Sequence, residues 1–197
     1  MSLVISISGI RGTIGGKPAQ GLTPIDAVQF ASAYASWLIQ ESGKEQPGVV
    51  LGRDARISGP MVEQLVSATL CAMGVDVHLV GLATTPTVEM AVKETGADGG
   101  IVLTASHNPA QWNALKLLNG LGEFLSAEDG DAILRKARSN DYIYAELKKL
   151  GKIKPLEGMD VKHIDQVLKL DLVDIKKIKR KKFKVVIDCV NSVGGIV

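Results

Sequence analysis

Three short apolar runs constrain what this chain can fold into: Gly48 to Gly52, Val75 to Val80, and Gly99 to Leu103. Their valine, leucine and isoleucine side chains, bounded by glycine or turn residues, mark buried strands. Two helical stretches separate them. Ser58 stands as a cap before the first, which runs to Met73 with Gly74 beyond it. Thr84-Thr85-Pro86-Thr87 opens the second, which reaches about Thr95. Strand, helix, strand, helix, strand at this spacing implies βαβ units with right-handed crossovers. The expected fold is therefore α/β, a mostly parallel mixed sheet with helices on both faces.

The flanking segments extend this pattern. Leu3 to Ile10 predicts a strand with alternating serines, ending in the turn-like Ser8-Gly9-Ile10-Arg11-Gly12-Thr13. Thr23-Pro24-Ile25-Asp26 opens a helix with a cap, an early proline and an acid at its positive end. Its predicted core stripe is Ile25, Val28, Ala31, Ala35, Leu38 and Ile39, and Gly43 stops it. Leu115 to Leu118 predicts a short strand, and Asn119-Gly120 a hairpin turn toward Glu123-Phe124-Leu125. Ser126-Ala127-Glu128-Asp129 caps a helix ending near Asn140. From Asp141 to Pro155 the chain is polar and irregular, as an interdomain connection would be. Val161, Ile164, Val167, Leu168, Leu170 and Leu172 predict a further amphipathic helix, and Phe183 to Asp188 a strand. The expected division is a first domain over residues 1–155 and a linker helix with the opening strand of a second over 156–197.

Charge and cysteine usage narrow the partners. A formal net charge of +2 makes no case for nucleic acid or a membrane surface. Lys176-Lys177-Ile178-Lys179-Arg180-Lys181-Lys182 is the one strongly basic run. It fits a nucleic-acid patch or a solvated linker, and the linker is favoured because Asp165, Asp171 and Asp174 dilute it. Cys71 and Cys189 lie far apart in apolar runs without metal-ligand spacing, which suits free thiols in a reducing compartment. No run is long enough to span a bilayer and no leader pattern precedes the first strand, so a cytoplasmic, soluble protein is expected.

The chemistry concentrates after the third apolar run, in Thr104-Ala105-Ser106-His107-Asn108-Pro109. Proline ends the strand, and a hydroxyl, an imidazole and a carboxamide are presented together at its C-terminal end. Ligands bind at that place in open α/β sheets, although a plain turn would use the same residues. Arg11, between two glycines, suits either a phosphate grip or a solvated position. Gly52-Arg53-Asp54-Ala55-Arg56-Ile57-Ser58-Gly59 could bind phosphate, but mutual pairing that fixes the loop is the favoured role. His78 alternates with apolar neighbours and is expected to be structural. A Gly-x-Ser-x-Gly elbow is absent, which argues against a serine hydrolase.

Thr104 to Pro109, followed by Trp112-Asn113-Ala114-Leu115-Lys116, resembles the active-site serine loop of the α-D-phosphohexomutases. That family includes phosphoglucomutase, phosphomannomutase and phosphoglucosamine mutase. Gly9-Ile10-Arg11-Gly12 and the Gly52 to Gly59 segment resemble two more of its signatures, and Asn191 to Gly195 resembles the opening of its second domain. The resemblance implies that Ser106 carries a phosphoryl group between positions 1 and 6 of a hexose phosphate, through a hexose 1,6-bisphosphate. It implies Mg²⁺ held in part by the Ser106 oxygen. Arg11 and Lys116 would neutralise phosphate charge, with Lys116 as a proton-transfer group, and His107 and Asn108 would orient phosphate and substrate. Glucosamine phosphate is the implied substrate, with glucose or mannose phosphate as alternatives. Ala114 departs from the glycine common at its position.

The resemblance runs from about Ser8 to Val197, the first of four family domains and the start of the second. The aspartate-rich metal loop, the sugar-recognition loop and the last phosphate-binding loop are expected beyond it. The chain alone is therefore expected to be inactive, at most a phosphosugar-binding fragment. Its terminal apolar strand would be open to self-association.

Overall fold

The computed structural model describes residues 3–6 and 9–196. Its strands are β1 (Leu3–Ser6), β2 (Gly9–Thr13), β3 (Gly48–Arg53), β4 (Asp76–Leu82), β5 (Gly99–Leu103), β6 (Trp112–Leu118) and β7 (Ile153–Pro155). They form one sheet in the order β1-β2-β6-β5-β3-β4-β7. The half from β5 through β3 and β4 to β7 is parallel. The half from β5 through β6 and β2 to β1 is antiparallel. The sheet is thus mixed, as expected for this α/β chain.

Among the described residues six helices accompany it: α1 (Pro24–Ser42), α2 (Gly59–Ala72), α3 (Thr85–Thr95), α4 (Ala127–Ser139), α5 (Met159–Leu168) and α6 (Ile175–Lys181). The period of two along each strand assigns the faces. Val49, Leu51, Ile101, Leu103, Leu115 and Leu117 pack with α1, α2 and α4 in the larger core. Val50, Val102 and Leu118 point the other way, against Val88 and Val92 of α3 and Met159 of α5. Helices cover both faces.

The helix ends follow local chemistry. Thr23 and Asp26 form a reciprocal capping box, and so do Ser126 and Asp129. Gly43, Gly96 and Asn140 close α1, α3 and α4 in left-handed conformation. Ser58 precedes α2 but makes no side-chain cap; its hydroxyl accepts instead from Asn113 Nδ2 at 2.9 Å. The predicted stripe of α1 also needs correction. Ile25 is exposed, while Phe30, Tyr34 and Trp37 are buried, because α1 is wedged between the sheet, α2 and α4 and buries a wide arc.

Four strand expectations change. Leu3 to Ile10 is not one strand: β1 and β2 pair antiparallel, with Ser6 opposite Gly9, and Ile7 and Ser8 lie outside the described residues. Arg11 therefore sits within a strand bonded on both sides, not on a loop. β6 starts at Trp112, ahead of the apolar run, because its pairing with β2 runs from Trp112 to Lys116. The polar stretch expected as a connection contains a short helical turn at Leu147–Lys149 and then β7, which pairs with β4. Met159 of α5 is buried in the second core, so the packed region continues past the expected division at residue 155. Phe183 to Asp188 forms no strand among the described residues, and Val185, Val186 and Ile187 are exposed. The basic run forms α6 on the surface.

Candidate active site

The chain leaves β3 toward β4 on one side and returns through β5 on the other, so strand order reverses between β3 and β5. At such a switch point the loops after adjacent parallel strands diverge and leave a crevice. The loop after β3 carries Arg53 to Ser58, and the loop after β5 carries the serine. Asp54 N–H donates to the Leu103 carbonyl at 3.1 Å, tying the two loops together where they begin.

A cleft of about 400 Å³ opens at this end of the sheet. Arg11, Ser106, His107, Asn108 and Lys116 all line it, together with Ser6, Thr104 and Ala114. The five residues singled out from the sequence thus come from β2, the serine loop and β6. Strand register explains why. Arg11 stands opposite Ala114, and Lys116 opposite both Gly9 and Val102. Directly opposed residues share a face, and alternate residues on one strand do too. Arg11 and Lys116 therefore project from one side of the sheet, the side away from Leu115 and Leu117. Ala114 is small and buried between these positions, so the departure from glycine leaves the cleft open. Gly9 has φ +128°, and a Cβ there would collide with the Leu115 carbonyl. Only glycine lets β2 approach β6 at this point.

Ser106 has φ +53°, a left-handed conformation unusual for a residue with a side chain. Its N–H donates to Thr104 Oγ1 at 3.0 Å, and the Thr104 hydroxyl donates to Asp54 Oδ2 at 2.7 Å. Asp54 in turn receives Arg56 Nε at 3.1 Å and the Arg56 N–H at 3.0 Å. Arg56 Nη1 donates to the carbonyls of Pro109 and Trp112 at 2.8 and 3.0 Å. Its Nη2 donates to those of Ser106 and Asn108, both at 2.8 Å. Arg53 is committed elsewhere, its Nε 3.2 Å from Glu63 Oε2 as an ion pair without hydrogen-bond alignment. The Arg53–Asp54–Arg56 segment thus fixes loops by pairing, the role favoured for it. His78 is half-buried on β4 and stands away from the cleft.

Two contributors were not singled out from the sequence. Thr104 links the serine N–H to Asp54. Phe124 places its ring centroid 5.7 Å from Lys116 Nζ, a cation–π contact that steadies the ammonium group. The signal for Phe124 was the Asn119-Gly120 turn, which returns the chain so that Phe124 bridges Leu118.

The described cleft lining holds hydroxyl, imidazole, carboxamide and cationic groups but no carboxylate. Among the described residues no group of three or more His, Cys, Asp or Glu side chains could hold a metal ion. These residues do not by themselves fit a magnesium site. Nor, among the described residues, is any helix long and apolar enough to cross a membrane.

Residues 4–143 match the family described as phosphoglucomutase/phosphomannomutase, alpha/beta/alpha domain I. A phosphoglucomutase/phosphomannomutase of Thermococcus kodakarensis is 33% identical over 196 residues, covering 100% of this chain and 41% of the relative. A phosphoglucosamine/phosphogalactosamine mutase of Sulfurisphaera tokodaii is 34% identical over 204 residues, with 100% and 41% coverage. The chain thus spans about two fifths of the length of these curated relatives. Among solved structures, a Thermus thermophilus protein described as a phosphomannomutase aligns with TM-score 0.70 at 28% identity, over 87% of this chain and 37% of that one. The open form of parafusin, a phosphoglucomutase of Paramecium, aligns with TM-score 0.72 over 97% of this chain and 39% of that one; at 20% identity it bears on the fold alone. The chain belongs to the phosphoglucomutase/phosphomannomutase family and carries the α/β/α domain I of that family.

Proposed function

We propose that this chain is the phosphate-carrying part of a cytoplasmic phosphohexomutase, with Ser106 as the carrier. The observation that carries the reading is the single cleft in which Ser106 meets Arg11, Lys116, His107 and Asn108. A phosphoserine bears about −1.5 to −2 charges at neutral pH. Two cations on the same face of the sheet balance that charge without a covalent role.

In the transfer step the bond between Ser106 Oγ and phosphorus breaks. A bond from phosphorus to a sugar hydroxyl oxygen forms, and the hydroxyl proton ends on Ser106 Oγ. Phosphoryl transfer asks the protein mainly for positioning and charge stabilisation. Arg11 grips phosphate oxygens with its fork. Lys116 stabilises the transferring group and relays the proton, a role supported by its sharing the cleft with Ser106, while His107 and Asn108 orient phosphate and sugar. Mg²⁺ is the cofactor of this reading: the Ser106 oxygen would be one of its ligands, the others would come from outside the described cleft, and it would supply further positive charge to the transferring phosphate.

Hexose phosphate and hexose 1,6-bisphosphate are the partners of this reading. Glucosamine phosphate is the favoured sugar, supported by relatives named phosphoglucosamine mutase at 34% identity. Incubation of the intact enzyme with glucosamine 1,6-bisphosphate, then intact-mass and peptide mapping, tests the reading. Phosphate on Ser106 is expected; label on another residue with Ser106 clean would overturn it.

A further inference from the structure

We infer that Arg56 is the positioning residue of the phosphate carrier, holding the Ser106 backbone in its left-handed conformation from behind the cleft. The inference rests on the reading of Ser106 as the carrier. A guanidinium has five N–H donors in a planar fork. In Arg56 all five are spent: Nε on Asp54, two on the Pro109 and Trp112 carbonyls, two on the Ser106 and Asn108 carbonyls. No donor is left for a phosphate, and Arg56 is not among the residues lining the cleft.

Four carbonyl oxygens of one loop converge on this one group, with their negative ends together. Water or a neutral amide could not gather them, because neither supplies a charge and four donors in one plane. The loop's path is therefore set by where the guanidinium lies. Asp54 fixes that place through Nε, and the same carboxylate takes the Thr104 hydroxyl, whose oxygen accepts the Ser106 N–H. Ser106 is held at both its N–H and its carbonyl, one through Asp54 and Thr104, the other through Arg56 directly. Between those two fixed points φ is +53°, and the side chain is presented to the cleft. A left-handed residue with a Cβ persists only where its surroundings over-determine it.

The test uses the isotope-labelled 197-residue chain and its Arg56→Ala and Arg56→Lys variants. Backbone carbon shifts and the HN–Hα coupling of Ser106 report its φ, and the amides of Ile101 and Val102 report the core. In the parent chain Ser106 carries the left-handed signature. Arg56→Ala is expected to lose it while the β5 signals stay. Arg56→Lys keeps the charge but places all its donors on one nitrogen, and is expected to lose the signature as well. It serves alone if the alanine variant does not fold. In parallel, with the same substitutions made in the intact enzyme, the rate of Ser106 phosphorylation by a hexose 1,6-bisphosphate is expected to fall roughly 10²-fold, as for a misplaced reacting group. The half-saturating bisphosphate concentration should be unchanged, because Arg56 touches no ligand. A folded variant that keeps both the Ser106 signature and the parent rate would overturn the inference. Left-handed Ser106 in the parent chain together with phosphate on another residue of the intact enzyme would overturn the carrier reading and leave the backbone role to stand on the shifts.

Discussion

Replacing Tyr34 by phenylalanine removes one oxygen atom from the place where the two strands behind the cleft are tied. The ring is fully buried, and the hydroxyl donates to the Leu118 carbonyl of β6 at 2.8 Å, with the Gly100 carbonyl of β5 at 3.3 Å. Gly99 has no side chain because the hydroxyl lies where its Cβ would be. An ordinary hydrogen bond contributes about 1 kcal/mol net, and a buried partner left unsatisfied costs about 1–3 kcal/mol. With a urea slope of about 1–3 kcal/mol per molar, Tyr34→Phe should lower the midpoint by roughly 1 M. A second signature is the pH dependence. Burial pushes the Tyr34 phenol far above its ordinary range, so the folded chain keeps the proton where the unfolded chain, with a phenol near 10, releases it. Stability from this group is fully present below about pH 10 and is lost as pH rises above it, at a slope approaching about 1.4 kcal/mol per unit. The phenylalanine variant lacks that loss. The stability gap between the two proteins should therefore narrow by about 1 kcal/mol between about pH 10 and 11, where the slope is still developing. Equal urea midpoints at pH 7, or parallel decline above about pH 10, would refute the reasoning.

Other outcomes follow from the same structure. Ser106→Ala should abolish labelling of the intact enzyme by a hexose bisphosphate while changing the stability of this chain in urea by less than about 0.5 kcal/mol, since Ser106 is exposed. Gly9→Ala combines a positive φ with a backbone collision and should cost about 3 kcal/mol or more, read as a lower melting temperature. The 197-residue chain should fold yet fail to convert glucosamine 6-phosphate to the 1-phosphate; turnover by pure material would contradict this. The amides of Val185, Val186 and Ile187, exposed and outside any strand, should exchange rapidly in dilute solution. Strong protection there would show that this segment has found a partner.

Strands β3, β4 and β5 and the helices between them were legible because their signals are local. Three apolar runs, the caps at Thr23, Thr84 and Ser126, and the stops at Gly43 and Asn140 each act within a few residues. The serine loop was legible for the same reason, since proline and polar turn residues end a strand wherever they occur. Tertiary context is what local signals leave out. Nothing within Ile153–Pro155 marks it as a strand; it is one because β4 offers it an open edge. Phe183 to Asp188 has the composition of a strand but, among the described residues, no neighbour to bond, and a strand is defined by its neighbour. Ser58 has the chemistry of a cap, yet its hydroxyl partners Asn113, 55 residues away.

The amino-acid sequence by itself determined the α/β class, the run from β3 through α2, β4 and α3 to β5, and the polar loop that follows it. Periodicity, capping and turn formation depend on residues within one or two turns of each other. Tertiary structure alone decided that Arg11 is on a strand opposite Ala114, that Lys116 shares its face, and that Arg56 gathers the carbonyls of a loop 50 residues downstream. Those facts rest on strand register and on crossovers between distant segments. Register is set by which chains meet across the sheet, and that pairing is a property of the assembled fold.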